Sequence, residues 1–214
     1  MRKPRNELNR SENVSPFKDT FKLIKDYNKF TSNREHAIEI LCSLFFSGIS
    51  VLGAFFFLDN SNRKILELLI SLNSSTLAIM AILAGFNMSS LALIGSANLK
   101  FLDKINTISN AGSSENDSLL GKIVKVFAFG VILNLILIVI GILISTISEQ
   151  LLLSEIILSK ETHYFTSISL RIVIFIWITG IFYSLLIAIK NVSLLYNFIL
   201  ALASNSADKK KSNK

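Results

Sequence analysis

The sequence contains one cysteine, two prolines and two histidines among its 214 residues. A single cysteine, Cys42, excludes an internal disulfide and a cysteine-based metal cluster. His36 and His163 are far apart in the chain, and neither has a second candidate ligand nearby. A glycine-rich phosphate loop and a His-x-x-x-His pair are also missing from the sequence. We therefore predict that the protein is not an enzyme and that it binds no cofactor or metal ion.

Charge is missing from four long apolar runs, which cover residues 40–58, 68–99, 126–148 and 172–189. A helix needs roughly 20 apolar residues to cross a hydrocarbon core of ~30 Å. The alternation of a membrane β-strand is absent, so the predicted fold class is all-α. We expect a polytopic membrane protein, a four-helix transmembrane bundle with an N-terminal amphipathic helix. The absence of carboxylates from the runs argues against pumps, antiporters and proton-coupled carriers.

These runs divide the chain into three parts. The predicted transmembrane domain is residues 37–190, between an N-terminal segment (1–36) and a C-terminal segment (191–214). Its four spans are expected at about 38–58, 72–96, 124–147 and 169–190.

Basic residues are distributed unevenly along the chain. Of the 22 Lys and Arg residues, 18 lie in segments 1–39, 100–125 and 190–214. We expect the protein in the cell inner membrane. The positive-inside rule then places both termini and the central loop on the cytoplasmic side. The net charge of +7 serves mainly as this topology signal and as attraction to the lipid bilayer, and we do not expect nucleic acid as a partner.

The N-terminal segment contains a basic amphipathic pattern. Ser15 and Pro16 form a helix start, and Phe17, Phe21 and Ile24 recur at helical spacing among four lysines. This helix is expected either to lie on the inner leaflet or to pack on a neighbouring subunit or the central loop.

The second run has small residues at spacings of 4, 3, 4, 4, 3 and 4, which form one stripe of a helix. Helices in lipid associate where small residues allow close backbone approach. The stripe is therefore predicted to be a helix-packing seam. Its members are Ser74, Ala78, Ala81, Gly85, Ser89, Ala92 and Ser96. The third run has a similar stripe that includes Gly130, Asn134 and Gly141.

The opposite face of the second span is mildly polar, with Asn73, Thr76, Asn87 and Ser90. These residues are candidates for lining a water-filled path in an oligomer. The alternative is that the asparagine amides form hydrogen bonds between helices. Asn87 and Asn134 are expected to be the two amides deepest in the membrane.

The stretch Ala81-Ile-Leu-Ala-Gly-Phe-Asn-Met-Ser-Ser-Leu-Ala-Leu-Ile-Gly-Ser96, which runs into Lys100, resembles small four-span membrane components of bacterial antiviral defence systems. Examples are the transmembrane effectors encoded beside retrons and the membrane subunit of the Kiwa system. The resemblance implies an inner-membrane effector or sensor that acts in abortive infection. We expect it to be a homo-oligomer that perturbs membrane integrity, and a soluble cytoplasmic protein of the same system is a candidate partner. Alternatives are a non-conducting scaffold or immunity protein, or a small-solute carrier.

Overall fold

The computed structural model describes residues 16–57, 62–97, 119–154 and 163–212, and the predicted central loop lies mostly outside these ranges. The described residues form five helices and no strand. The all-α fold class is therefore confirmed. The helices are α1 (Pro16–Phe30), α2 (Asn33–Phe57), α3 (Asn62–Gly95), α4 (Leu119–Leu153) and α5 (His163–Ser212).

Helices α2 to α5 are each long and apolar enough to cross a bilayer. Their hydrophobic runs contain few helix breakers, and both prolines of the chain precede α2. The chain is thus a multi-pass membrane protein. Helix α3 is continuous from Asn62 to Gly95, and it spans 34 residues.

The four long helices alternate in direction along the chain, and α5 packs against each of the other three. Helix α3 packs along α4 over the most extensive interface, whereas α2 packs mainly on α5. In the most apolar 18-residue stretch of α2, only 11% of the residues are buried. The corresponding share is 28–33% in the other three spans. Helix α2 is therefore the most peripheral member of the bundle.

Three apolar clusters hold the bundle together. The central cluster contains Met80 of α3, Leu137 of α4 and Trp177 of α5. A second cluster joins the end of α3 to the start of α4 and to Phe198, beyond the expected end of the fourth span. Helix α5 thus continues past residue 190 without a break, and this part of it packs against α3 and α4.

Helix α1 packs against the bundle, mainly on α4. Tyr27 is completely buried, in an apolar cluster with Val126 and Phe129 of α4 and Ile187 of α5. The apolar partner of α1 in the structure is therefore the bundle of the same chain, whereas Phe21 remains 71% exposed. We call the end of the bundle that carries α1 the α1 end.

Candidate functional site

The polar face of α3 lies inside the bundle. Asn73 and Asn87 have no exposed surface, and Thr76 and Ser90 are 4% and 3% exposed. Asn73 bonds to α4 and Asn87 to α5 of the same chain, whereas Thr76 and Ser90 donate to backbone oxygens of α3 itself. Their placement corrects the expectation that they line a hydrated path between subunits, because each is already enclosed by its own bundle.

Asn73 joins α3 to α4. Its Nδ2 donates to the backbone oxygen of Gly141 at 2.7 Å and to the hydroxyl of Ser145 at 2.5 Å. A Cβ atom on residue 141 would lie 2.7 Å from Leu77 and 2.8 Å from Asn73 Oδ1. The absence of a side chain at Gly141 is therefore what allows the Asn73 amide to reach the α4 backbone.

Asn87 meets both α4 and α5. Its Oδ1 accepts a hydrogen bond from Asn191 Nδ2 at 2.8 Å. Gly130 of α4 faces this pair, since a Cβ there would lie 2.7 Å from the amide nitrogens of both asparagines. Three helices thus converge on an asparagine pair that only a glycine can accommodate.

Two further polar contacts connect the helices between these levels. Ser184 of α5 donates to Asn134 Oδ1 at 2.5 Å, and Asn134 Nδ2 donates to the backbone oxygen of Gly130 at 2.9 Å. Thr179 of α5 donates to Ser47 of α2 at 2.8 Å. We call the set formed by Asn73, Asn87, Asn134, Ser184 and Asn191 the polar ladder.

Some atoms of the polar ladder are buried without a hydrogen-bond partner among the described residues. They are Oδ1 of Asn73, Nδ2 of Asn87 and Oδ1 of Asn191. A buried amide that makes only part of its hydrogen bonds contributes less stability than a fully paired one. The main role of the ladder is therefore to specify which faces of α3, α4 and α5 pack together. Its contribution to stability is secondary.

A cluster of charged residues connects α2 to α5 at the α1 end. Lys190 Nζ donates to Glu39 at 3.0 Å and to Glu35 at 3.2 Å. The second oxygen of Glu39 lies 3.6 Å from Nδ1 of His36. Charged groups are costly inside hydrocarbon, so this cluster marks one boundary of the membrane.

The charged cluster also fixes the level of Asn87. Lys190 and Asn191 are consecutive residues of α5, so the Asn87–Asn191 pair lies next to the membrane boundary. Asn87 thus lies nearer this charged cluster than Asn134 does, because Asn134 bonds to Ser184, which precedes Lys190 on α5. From Asn62 to Asn87 a helix rises ~38 Å, which already covers a hydrocarbon thickness. The rest of α3 extends beyond it.

Tyr27 attaches α1 to this cluster. Its ring stacks on Phe129 with centroids 3.9 Å apart, and it meets His36 edge-on at 5.3 Å. Burial, and secondly the nearby Glu39 carboxylate, raises the pKa of the Tyr27 phenol well above its ordinary value.

The small-residue stripe of α3 lies on the outer surface of the chain. All seven of its residues are exposed, and a Cβ on Gly85 would meet nothing within 4 Å. The expectation that this stripe packs within the bundle is therefore wrong for the single chain. The glycines that enclose the polar ladder belong to α4, where Gly130 and Gly141 are both buried. The exposed residues are Ser74, Ala78, Ala81, Gly85, Ser89, Ala92 and Ser96.

Sequence reasoning missed Asn191, Tyr27 and the ion pairs of Lys190. Asn191 follows a charged residue and therefore resembles the solvated end of a span. The signal that could have revealed it is the apolar segment after it, which predicts that the helix continues and buries one face.

Among the described residues, no group of three His, Cys, Asp or Glu side chains is placed to hold a metal ion.

Comparison with protein-family models, curated proteins and solved structures gave no match to this chain.

Proposed function

We propose that the protein self-associates through the outward face of α3 and acts, as an oligomer, in bacterial antiviral defence. In this proposal it is an inner-membrane effector or sensor, with both termini in the cytoplasm, that perturbs membrane integrity. The observation that carries the proposal is the exposure of all seven small residues of the α3 stripe.

The physical argument rests on what each helix offers its surroundings. Acyl chains pack equally well on any large apolar side chain, so lipid gives no reason for a regular stripe of serine, alanine and glycine. A second helix gains from such a stripe, because the two backbones approach closely and their many van der Waals contacts add up. A second copy of α3 is the simplest partner of this kind, since twofold interfaces are the commonest in homo-oligomers.

The antiviral assignment follows from the resemblance of the segment from Ala81 to Ser96, which lies on this same helix. The orientation follows from the positive-inside distribution of Lys and Arg. Perturbation of the membrane would arise between subunits, because the polar ladder closes the interior of each chain.

Cysteine crosslinking tests the self-association. In a Cys42→Ser background, Ser89→Cys should give covalent dimers in membranes under mild oxidation, because the stripe brings two copies into contact. Leu143→Cys on the outward face of α4 is the matched control, since it is 56% exposed and faces lipid in this proposal. Equal crosslinking at both positions would contradict an interface on α3.

Membrane integrity tests the effector function. Gly85→Leu should abolish both dimer formation and any loss of membrane potential during phage challenge, because the added side chain separates the two helices. A voltage-sensitive dye in cells that express the variant or the original chain measures this. An undisturbed potential while infected cells die would refute the membrane-perturbing version.

The second candidate is a non-conducting scaffold or immunity protein. The polar ladder favours it, because the polar side chains inside the bundle bond to one another and leave each chain closed. In this case α1 and the end of α5 would hold a soluble partner. Deletion of residues 1–30 distinguishes the two functions, since a scaffold should lose its partner whereas an effector should still depolarise the membrane.

A further inference from the structure

A groove lies between α2 and α5 at the α1 end of the bundle. It has a volume of about 360 Å³ and is lined by Glu35, Ile38, Glu39, Cys42, Leu186, Ile189 and Lys190. Ile38 and Ile189 are 53% and 66% exposed on its rims, so the groove is accessible from the lipid side of the helices.

The groove is charged at one end and apolar at the other. Because α2 and α5 are antiparallel, Glu35, Glu39 and Lys190 meet at the membrane boundary. Cys42 and Leu186 lie about one turn further into the bundle. One turn deeper, Phe46 and Phe182 stack with centroids 5.5 Å apart and close the space between the helices. This polarity is that of a lipid, with a headgroup outside and the start of an acyl chain inside.

The charges select the headgroup. Two carboxylates face one ammonium group, so with His36 counted as neutral the cluster keeps one net negative charge. Lys190 donates to two carboxylates, and an ammonium group has three N–H donors, so one N–H can still bind a phosphate oxygen. Glu35 is 59% exposed and can accept from a second ammonium group.

We propose that this groove binds a phospholipid whose headgroup carries a primary amine, namely phosphatidylethanolamine. The headgroup ammonium donates to Glu35, the phosphate accepts from Lys190, and the first methylenes of an acyl chain cover Ile38, Cys42 and Leu186. A choline headgroup has no N–H to donate, and an anionic glycerol headgroup meets the net negative charge of the two glutamates. The proposal is independent of self-association through α3.

Lipid retention by the full chain in nonionic detergent tests the proposal. Native mass spectrometry compares phosphatidylethanolamine, phosphatidylcholine and phosphatidylglycerol with identical acyl chains, added in equal amounts. We expect phosphatidylethanolamine to be retained about tenfold better than either of the others, as for one additional charge-assisted hydrogen bond. Equal retention of all three lipids, or preferred retention of phosphatidylglycerol, would overturn the proposal.

Variants assign the preference to the groove. Glu35→Gln should remove most of the preference for the amine headgroup, and Leu186→Trp should reduce retention of every lipid because it fills the groove. Glu149→Gln is the control, since Glu149 is exposed near the other end of α4. A preference that survives Glu35→Gln and Leu186→Trp would place the lipid elsewhere and refute the groove.

The single cysteine gives a second measurement on the unmodified chain. In vesicles of phosphatidylcholine, addition of phosphatidylethanolamine should slow alkylation of Cys42 by a membrane-permeant maleimide about tenfold, because the acyl chain covers the thiol. An unchanged rate would contradict occupancy of the groove. Gly85→Leu should keep this protection, so failure of the self-association proposal would be recognised separately.

Discussion

Two neighbouring helices of this bundle, α3 and α4, present different surfaces to their surroundings. The outward face of α4 consists of large aliphatic side chains such as Val139 and Leu143, which are 59% and 56% exposed. The outward face of α3 is a stripe of serine, alanine and glycine, flanked by Ile82 and Met88. The inward faces are reversed, with glycines on α4 and asparagines on α3.

This difference shows that small residues serve two separate purposes in one protein. On α4 they make room inside the chain for amide side chains of α3 and α5. On α3 they are left for a surface that the single chain does not use. The predictions below separate the two purposes, from the largest expected effect to the smallest.

The largest effect is expected from Gly141→Leu compared with Gly85→Leu. A Cβ at residue 141 already lies 2.7 Å from Leu77, so leucine should cost about 3 kcal/mol or more in the free energy of unfolding. The same change at residue 85 meets open space and should leave the unfolding of the single chain nearly unchanged. Unfolding in mixed detergent micelles measures both. Similar losses in the two variants would break the distinction between the inward and outward faces.

An intermediate effect is expected from Asn73→Leu compared with Ser74→Leu. Asn73 donates to Gly141 and Ser145 of α4, and its loss should cost about 1–2 kcal/mol, near the upper end of the values for polar contacts between membrane helices. The adjacent Ser74 points outward, so the single chain should lose under about 0.5 kcal/mol. The same unfolding measurement applies. A greater loss at residue 74 would show that the helix is rotated relative to the structure.

The smallest effect is expected from Asn87→Leu. The change removes the acceptor of the hydrogen bond that Asn191 donates, but it also removes a buried amide nitrogen that has no partner among the described residues. The free energy of unfolding should therefore fall by only about 0.6 kcal/mol. Leakage of an encapsulated dye from vesicles should not change, because Asn87 is enclosed within its own chain. Asn134→Leu is the matched control. A strong fall in leakage with Asn87→Leu alone would restore a hydrated path along this face.

Much of the fold could be predicted from the sequence because membrane crossing depends on length and charge. The four spans and the N-terminal helix follow from apolar runs, helix starts and the periodicity of apolar residues, and the structure has each of them. The depth of Asn87 could not be predicted in this way. The uncharged run of α3 is longer than a membrane is thick, so the run alone does not fix which of its residues lie at the middle of the bilayer. The contact with Asn191, next to the charged Lys190, supplies that information.

The sequence also could not predict which face of α3 is buried in the bundle. Its small stripe and its polar stripe are equally regular, so periodicity shows that the helix has two distinct faces without showing which is buried. Gly130, Gly141 and Asn191, far away in the chain, decide this by offering space and a hydrogen-bond partner to the asparagines. The sequence by itself thus determined the number and the amphipathic character of the helices, which are local properties. The tertiary structure alone decided which face of α3 is inside, since that choice depends on the shapes and polar groups of three helices together.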